Sequence, residues 1–489
     1  MKLSICLLVC LSTLTLAVPH FMHGRPASGL VPPPPLELPI EALPKAQYFK
    51  MQKLDHFDHT NTAVWSQRYF VNDTFHKKGG PIFLMLGGEG PASPVWNVAG
   101  AWQIYAKKLN AITIQIEHRY YGQSHPVSDA STPNLKYLSS EQALADAAYF
   151  REYFMTSKNM SADTKWIVFG GSYSGALSAW LRTKYPHLFH ASVATSAPIL
   201  AKVDFEQYLQ VVTKSLQTAG MACTKNIHNA TTIIQGMIKT SAGRKKLSQM
   251  FKTCKPLSKD PNDISTFMQS LAGNFEGIVQ YNKDNTGFER HTPATTLTDL
   301  CKIMEKNKPL DGYVKVNSLI LKQNGQKCND VVYKDMIKQM QQSKFQPGIA
   351  GRLWFYQTCT EFGYYQTSDS KKQSFGNMFP IKYWVQQCAD VFGKKFSPSY
   401  INGEITMTNN YYGALAIKGT RIVFPNGSID PWHALGLLKS TDATRPTIFI
   451  KGTAHCANMY PPTSKDPAGL RQARTKILGY LTKWLKEKS

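Results

Sequence analysis

At 489 residues the chain is long enough for one large domain with an insertion, or for two to three ordinary domains, so a sizeable core is available. With 43% hydrophobic and 18% charged residues and no long polar tract, the composition excludes wholesale disorder. The formal net charge of +24 invites a nucleic-acid or anionic-polymer binder, but the lysines are spread along the chain without zinc-finger, helix-turn-helix or RNA-binding spacing, so a solvated basic surface and no nucleic-acid partner are expected.

The start, MKLSICLLVCLSTLTLA, has a basic Lys2, an apolar run and small residues before a cut after Ala17, the pattern of a secretory signal over 1–17. No later stretch is apolar for long enough to cross a membrane, so a soluble protein, secreted or in the endosomal/lysosomal lumen, is expected, with no integral membrane segment. Removing the signal leaves seven cysteines, at 223, 254, 301, 328, 359, 388 and 456, and an odd count leaves at least one thiol over. The sequons at Asn72, Asn159 and Asn229 are expected to carry glycans; the one at Asn426, four residues before Asp430, is expected to be shielded.

Residues 18–45 are rich in proline and read as an extended leader or a pro-segment. Regular structure is expected from about LDHFDHTNTAVWSQRYFVND; its His56 and His59 have no carboxylate or thiol at ligand spacing, so neither a metal nor another cofactor is predicted. Over 46–202 follow a buried-strand run ending in a glycine-rich loop, GPIFLMLGGEGPAS, and a second β-rich run, NAITIQIEHRYYGQS. YLSSEQALADAAYFREYFM then opens on a capping-box pattern, Ser139 with Gln142, and puts Ala143, Ala147, Phe150 and Phe154 on one helical face. WIVFGGSYSGALSAWLRTKYP reads as strand, tight turn and helix, and HASVATSAPIL as another strand. From 203 to 385 the rhythm gives way to a largely helical block; within 386–489 it resumes with GTRIVFPNGSIDPWHALG and PTIFIKGTAHCANMYPP and closes on a helix carrying Leu470, Ala473, Ile477, Leu481 and Trp484. Strands alternating with helices predict an α/β class, a mostly parallel sheet split by a helical insertion.

Ser172 stands at the corner of the strand-turn-helix segment, flanked two residues away by Gly170 and Ser174, a GxSxS variant of the GxSxG nucleophile elbow. No lysine follows the glycines as a phosphate loop requires. Asp430 and His455 each lie just beyond one of the last two apolar strands, where a parallel sheet ends at the same carboxyl edge as the elbow. Alone, the aspartate reads as a turn residue and the histidine as structural. Together they complete the order serine, aspartate, histidine, the order of α/β-hydrolases, so Ser172, Asp430 and His455 are the candidate nucleophile, acid and base. An oxyanion needs two donors: the backbone N–H of Tyr173, and one from the LGGEG loop, where Gly88 and Glu89 are the candidates.

GGSYSGALSAW, NGSIDPWHALG, GTAHCANMYPP, EHRYYGQS, YLSSEQALAD and YQTCTEFGYYQT together resemble the prolyl carboxypeptidase, dipeptidyl peptidase II and thymus-specific serine protease family, with the wording DPWHALG and QTCTEFGYYQT most like the thymus-specific branch. The resemblance implies an α/β-hydrolase core with a disulfide-braced helical cap inserted before the acid. It implies bridges Cys223 to Cys301, Cys254 to Cys328 and Cys359 to Cys388, with Cys456 free beside the candidate histidine. It also implies a serine-type exopeptidase acting on short peptides, a carboxypeptidase or a dipeptidyl peptidase, at bonds after proline. Trp432 is a candidate wall of the substrate pocket, with core packing an equal alternative, and Glu89 could anchor a peptide's amino group or brace its own loop. Three readings compete: the peptidase, whose partners are short peptides and which is a possible homodimer; a catalytically silent peptide-binding protein on the same scaffold; and an esterase or lipase on the same fold, which the family wording disfavours.

Overall fold

The computed structural model describes residues 21–22, 24–26, 31–34, 39–283 and 295–487. The expected signal at 1–17, and part of the 18–45 leader, lie outside them.

Eight strands form one sheet: β1 (Gln47–Lys53), β2 (Val64–Asn72), β3 (Ile82–Leu86), β4 (Ile112–Ile116), β5 (Trp166–Gly171), β6 (Ala191–Thr195), β7 (Ile422–Gly427) and β8 (Thr447–Ile450). Their spatial order is β1-β2-β4-β3-β5-β6-β7-β8. β1 pairs antiparallel with β2, and β2 with β4; every other pairing is parallel. Every residue of β3 to β7 is buried, because helices cover both faces of a parallel sheet, and β3 and the start of β5 accordingly read as unbroken apolar runs. Phe83, Met85, Ile167 and Phe169 face α1 (Ala101–Leu109) and the C-terminal helix Ala468–Lys486, while Leu84 and Val168 face the core shared with α2 (Ser140–Ser157) and α3 (Tyr173–Lys184). This is the α/β-hydrolase fold.

The sheet begins earlier than the sequence suggests. In β1 only Phe49 and Gln52 are buried, so an edge strand with a mostly solvated surface leaves little apolar alternation to read. The N-terminus of α2 also departs from the expected capping box. The Ser139 hydroxyl does accept from the N–H of Gln142, but the Gln142 side chain turns away to donate to Asp55 and accept from the N–H of His56. His56 itself is bonded to Asp146, which a buried Arg119 also holds, so this histidine braces the sheet edge.

Between β6 and β7 lies the helical insertion. Residue 385, where the sequence reading ends it, falls inside helix Ile381–Phe392, and a further helix, Pro398–Tyr412, precedes β7. That earlier boundary would cut one continuous apolar face, Tyr383, Trp384, Val385, Cys388 and Val391, through its middle. A short parallel pair, Lys202–Asp204 with Gly363–Tyr365, ties the insertion to its root. Disulfides join Cys223 to Cys301, Cys254 to Cys328 and Cys359 to Cys388, and Cys456 is a free, buried thiol. Among the described residues no helix is long and apolar enough to cross a membrane.

The four sequons differ in access. Asn159 is exposed, Asn229 is half-buried on helix Met221–Ile238, and the Asn72 amide, half-buried in β2, donates to the carbonyl of Asn97 at 2.7 Å. Asn426 is buried in β7. A glycopeptide map of the chain expressed through a eukaryotic secretory pathway is expected to find Asn159 occupied and Asn426 bare; occupancy at Asn426 would contradict this packing.

Candidate active site

β5 runs straight into α3, and the corner between them carries Ser172 at φ 60°, ψ −127°, a conformation that costs a non-glycine residue about 1–3 kcal/mol and persists only where its surroundings enforce it. The enforcement is steric. A Cβ on Gly170 would lie 1.9 Å from the carbonyl oxygen of Ser174, and one on Gly175 would lie 2.4 Å from that of Thr195, so strand and helix approach this closely only through glycine. The small residue at 174 is thus compensated one position later. The Ser174 hydroxyl donates to the carbonyl of Gly171 at 2.9 Å and accepts its N–H at 3.1 Å, bracing the turn. The N–H of Ser172 donates to the carbonyl of Thr195 at the end of β6. Its Oγ is buried and has no hydrogen-bond partner among the described residues.

Asp430 follows β7 and His455 follows β8, both fully buried. His455 Nδ1 lies 2.9 Å from Asp430 Oδ2, while Asp430 Oδ1 accepts the N–H of Trp432 at 2.9 Å. With Nδ1–H donating to the carboxylate, Nε2 is the basic nitrogen. Burial alone pushes the imidazole down, but the Asp430 charge and hydrogen bond, with the neighbouring Cys456, outweigh it and hold His455 well above an ordinary histidine. Cys456 also packs beneath the elbow: a Cβ on Gly171 would lie 3.0 Å from its sulfur. The cap closes over the histidine, whose N–H donates to the carbonyl of Gln280 at the end of helix Pro261–Gln280.

Tyr173 is the first residue of α3, so its N–H has no carbonyl one turn earlier in the helix to bond. The Gly87 N–H is taken by the carbonyl of Ile116, and Gly88 is the loop glycine that faces the elbow: a Cβ on it would lie 3.7 Å from that of Ser174. Glu117 bolts this loop down: it ion-pairs with Arg68 and accepts the N–H of Ala92 at 2.9 Å and the Ser124 hydroxyl at 2.7 Å. A Cβ on Gly122 would collide with the same carboxylate. Trp432 is 1% exposed, packed against Phe205, Tyr208 and Tyr364, and its Nε1 donates to Gln280 Oε1 at 2.9 Å.

Sequence reasoning missed what holds Tyr173. Its hydroxyl meets His118 Nε2 at 2.9 Å and accepts from Gln357 Nε2 at 2.9 Å. Gln357 in turn accepts from Tyr121 and donates to Glu361, which receives the N–H and hydroxyl of Ser140. Burial pushes His118 down to about 4, so it stays neutral, with Nδ1–H on the carbonyl of Arg119 and Nε2 accepting from the tyrosine. The motifs EHRYYGQS and YQTCTEFGYYQT, 236 residues apart at Tyr121 and Gln357, thus converge on the residue after the elbow serine. Tyr173→Phe strands both polar partners and is expected to lower stability by about 1–3 kcal/mol. An unchanged denaturation midpoint would show that this network does not brace the elbow.

An elbow serine, a buried histidine–aspartate pair and a glycine loop beside them, on this sheet order, define a serine hydrolase of the α/β-hydrolase class. The family model described as serine carboxypeptidase S28 matches residues 52–477, and the chain belongs to that family of serine peptidases. Its relatives include a Caenorhabditis elegans protein bearing a serine-protease name, 37% identical over 506 residues and 99% of each chain. The thymus-specific serine protease of Homo sapiens is 34% identical across 91% of this chain and 87% of its own. The lysosomal Pro-X carboxypeptidase of Homo sapiens is 29% identical across 94% and 92%.

Proposed function

We propose that this serine peptidase is a secretory-pathway exopeptidase that hydrolyses short peptides at a bond after proline, with Ser172 as nucleophile, His455 as base and Asp430 as its orienting acid. The observation that carries the assignment of roles is the buried 2.9 Å contact between His455 Nδ1 and Asp430 Oδ2 on the same sheet edge as the strained Ser172. His455 Nε2 takes the Ser172 proton as Oγ attacks the scissile carbonyl, then delivers it to the leaving amine; water repeats the sequence on the acyl-enzyme. The N–H groups of Tyr173 and of Gly88 or Glu89 receive the oxyanion. Proline is supported by the aromatic surroundings of Trp432, which suit a rigid apolar ring, and by the relative named a Pro-X carboxypeptidase. A lumenal destination is supported by the 1–17 signal pattern and by the word lysosomal in that relative's name.

A pair of proline peptides tests this reading. One is blocked at its amino end and carries a free residue after proline; the other is a free-amine Xaa-Pro reporter. Cleavage of the first alone identifies a carboxypeptidase, and of the second alone a dipeptidyl peptidase. Cleavage of neither, while non-proline peptides are hydrolysed, would refute the proline preference.

A further inference from the structure

The proline-rich leader does not trail away from the domain. Phe21–Met22 pairs antiparallel with Arg25–Pro26 in a tight hairpin, and the hairpin lies against helix Pro261–Gln280. Gly24, at φ +66° in its turn, sits on Trp432: a Cβ there would lie 2.4 Å from the indole and 2.7 Å from the Gln366 amide. Its carbonyl accepts from Gln280 Nε2 at 3.1 Å, the same glutamine whose side chain holds Trp432 and whose backbone holds His455. Arg25 then reaches across to the opposite rim and donates to the carbonyl of Glu89, in the candidate oxyanion loop, at 2.8 Å. Further along, the carbonyl of Pro32 accepts the Tyr460 hydroxyl, and Val31 and Pro33 close a cavity walled by Gly88, Ser174 and Met459. The leader therefore spans from the acid and histidine loops to the candidate oxyanion loop.

We propose that the described leader residues are a tethered occupant of the catalytic cleft, and that the seat of Arg25 against Glu89 is a cation subsite, which takes a guanidinium or ammonium group of a peptide when the leader is displaced. The proposal rests on the hydrolytic reading above. An arginine only 5% exposed is costly to bury unless its surroundings answer its charge. Burial pushes the guanidinium down more than its surroundings push it back up, and what answers its charge is Glu89, whose carbonyl accepts from it at 2.8 Å and whose carboxylate is the largest of the opposing influences. The eight-stranded sheet is complete without the hairpin, whose contacts fall on cleft residues. Between hairpin and β1, Pro39 to Ala42 are exposed, which offers a protease a place to cut the tether.

The test is the rate at which a fluorophosphonate labels Ser172 in the full chain and in two variants. Arg25→Ala removes the cation, and Gly24→Ala drives a side chain into Trp432 while keeping Arg25. Each is expected to be labelled at least about tenfold faster than the parent, the scale of one lost charge-assisted hydrogen bond. Equal rates in the parent and in a folded variant of either kind would overturn the tethered occupant. In Arg25→Ala, peptides differing only as arginine or citrulline, and as free or acetylated amine, are then compared as protectants. A cationic member is expected to protect at about tenfold lower concentration than its neutral twin, and the pair that differs tells whether side chain or amine fills the seat. Equal protection within both pairs would overturn the cation subsite. Failure of every folded form to label would instead overturn the hydrolytic reading.

Discussion

Ser172→Ala is expected to lower kcat/KM for any peptide substrate by at least about 10⁴-fold while leaving the folded state as stable as the parent or slightly more so. Ser174, two residues on, is not expected to stand in for it, because its Oγ is bonded to the carbonyl and N–H of Gly171. Stability is retained because the Ser172 hydroxyl is buried without a partner among the described residues, so its removal strands nothing. The backbone strain at φ 60° is set by the close approach of α3 to β5 at Gly170 and to the end of β6 at Gly175, and alanine inherits it unchanged. Residual activity above a tenth of the parent, or a lowered denaturation midpoint, would contradict this reading of the elbow.

Asp430→Asn is expected to lower kcat/KM by about 10⁴-fold, because an amide facing Nδ1 favours the wrong imidazole tautomer. It is also expected to move the acidic limb of the residual activity to lower pH. The sign follows from His455, which must be neutral to accept a proton and which Asp430 holds above its ordinary value against the effect of burial. Activity of the parent therefore rises with pH through that raised value; without the carboxylate the imidazole loses its proton earlier. The kcat/KM profile of both proteins checks this, and a limb that stays in place would show that Asp430 does not set the charge of His455.

Much of the fold was legible because the sheet is buried on both faces. β3 and β5 appear as apolar runs and β4, β6 and β7 as short β-rich stretches, and Ser172, Asp430 and His455 each follow one such stretch or β8, so chain order brought the three together. β1 was not legible, because an edge strand burying two of seven residues has no pattern to detect. The replacement of the second elbow glycine by Ser174 looked like a departure from the motif, and only the backbone shows Gly175 doing the steric work. Gln280 carried no signal: it ends a cap helix whose amphipathic face reads as packing, and its place beside His455 and Trp432 is created by contacts 152 and more residues distant in sequence. The same holds for Arg25, which in a proline-rich stretch looks like one more solvated charge and is instead buried against Glu89. Local pattern reports which face of an element is buried; it does not report which distant element covers it.

The central claim is that Ser172 is the activated nucleophile of a buried serine–histidine–aspartate site. Intact-mass and peptide-mass measurement after fluorophosphonate treatment, on the full chain and on Arg25→Ala so that the leader cannot mask the site, tests it most directly. A single adduct on the peptide containing Ser172 is predicted in both, formed faster in the variant. An adduct on another residue, or none on either folded protein, would contradict it.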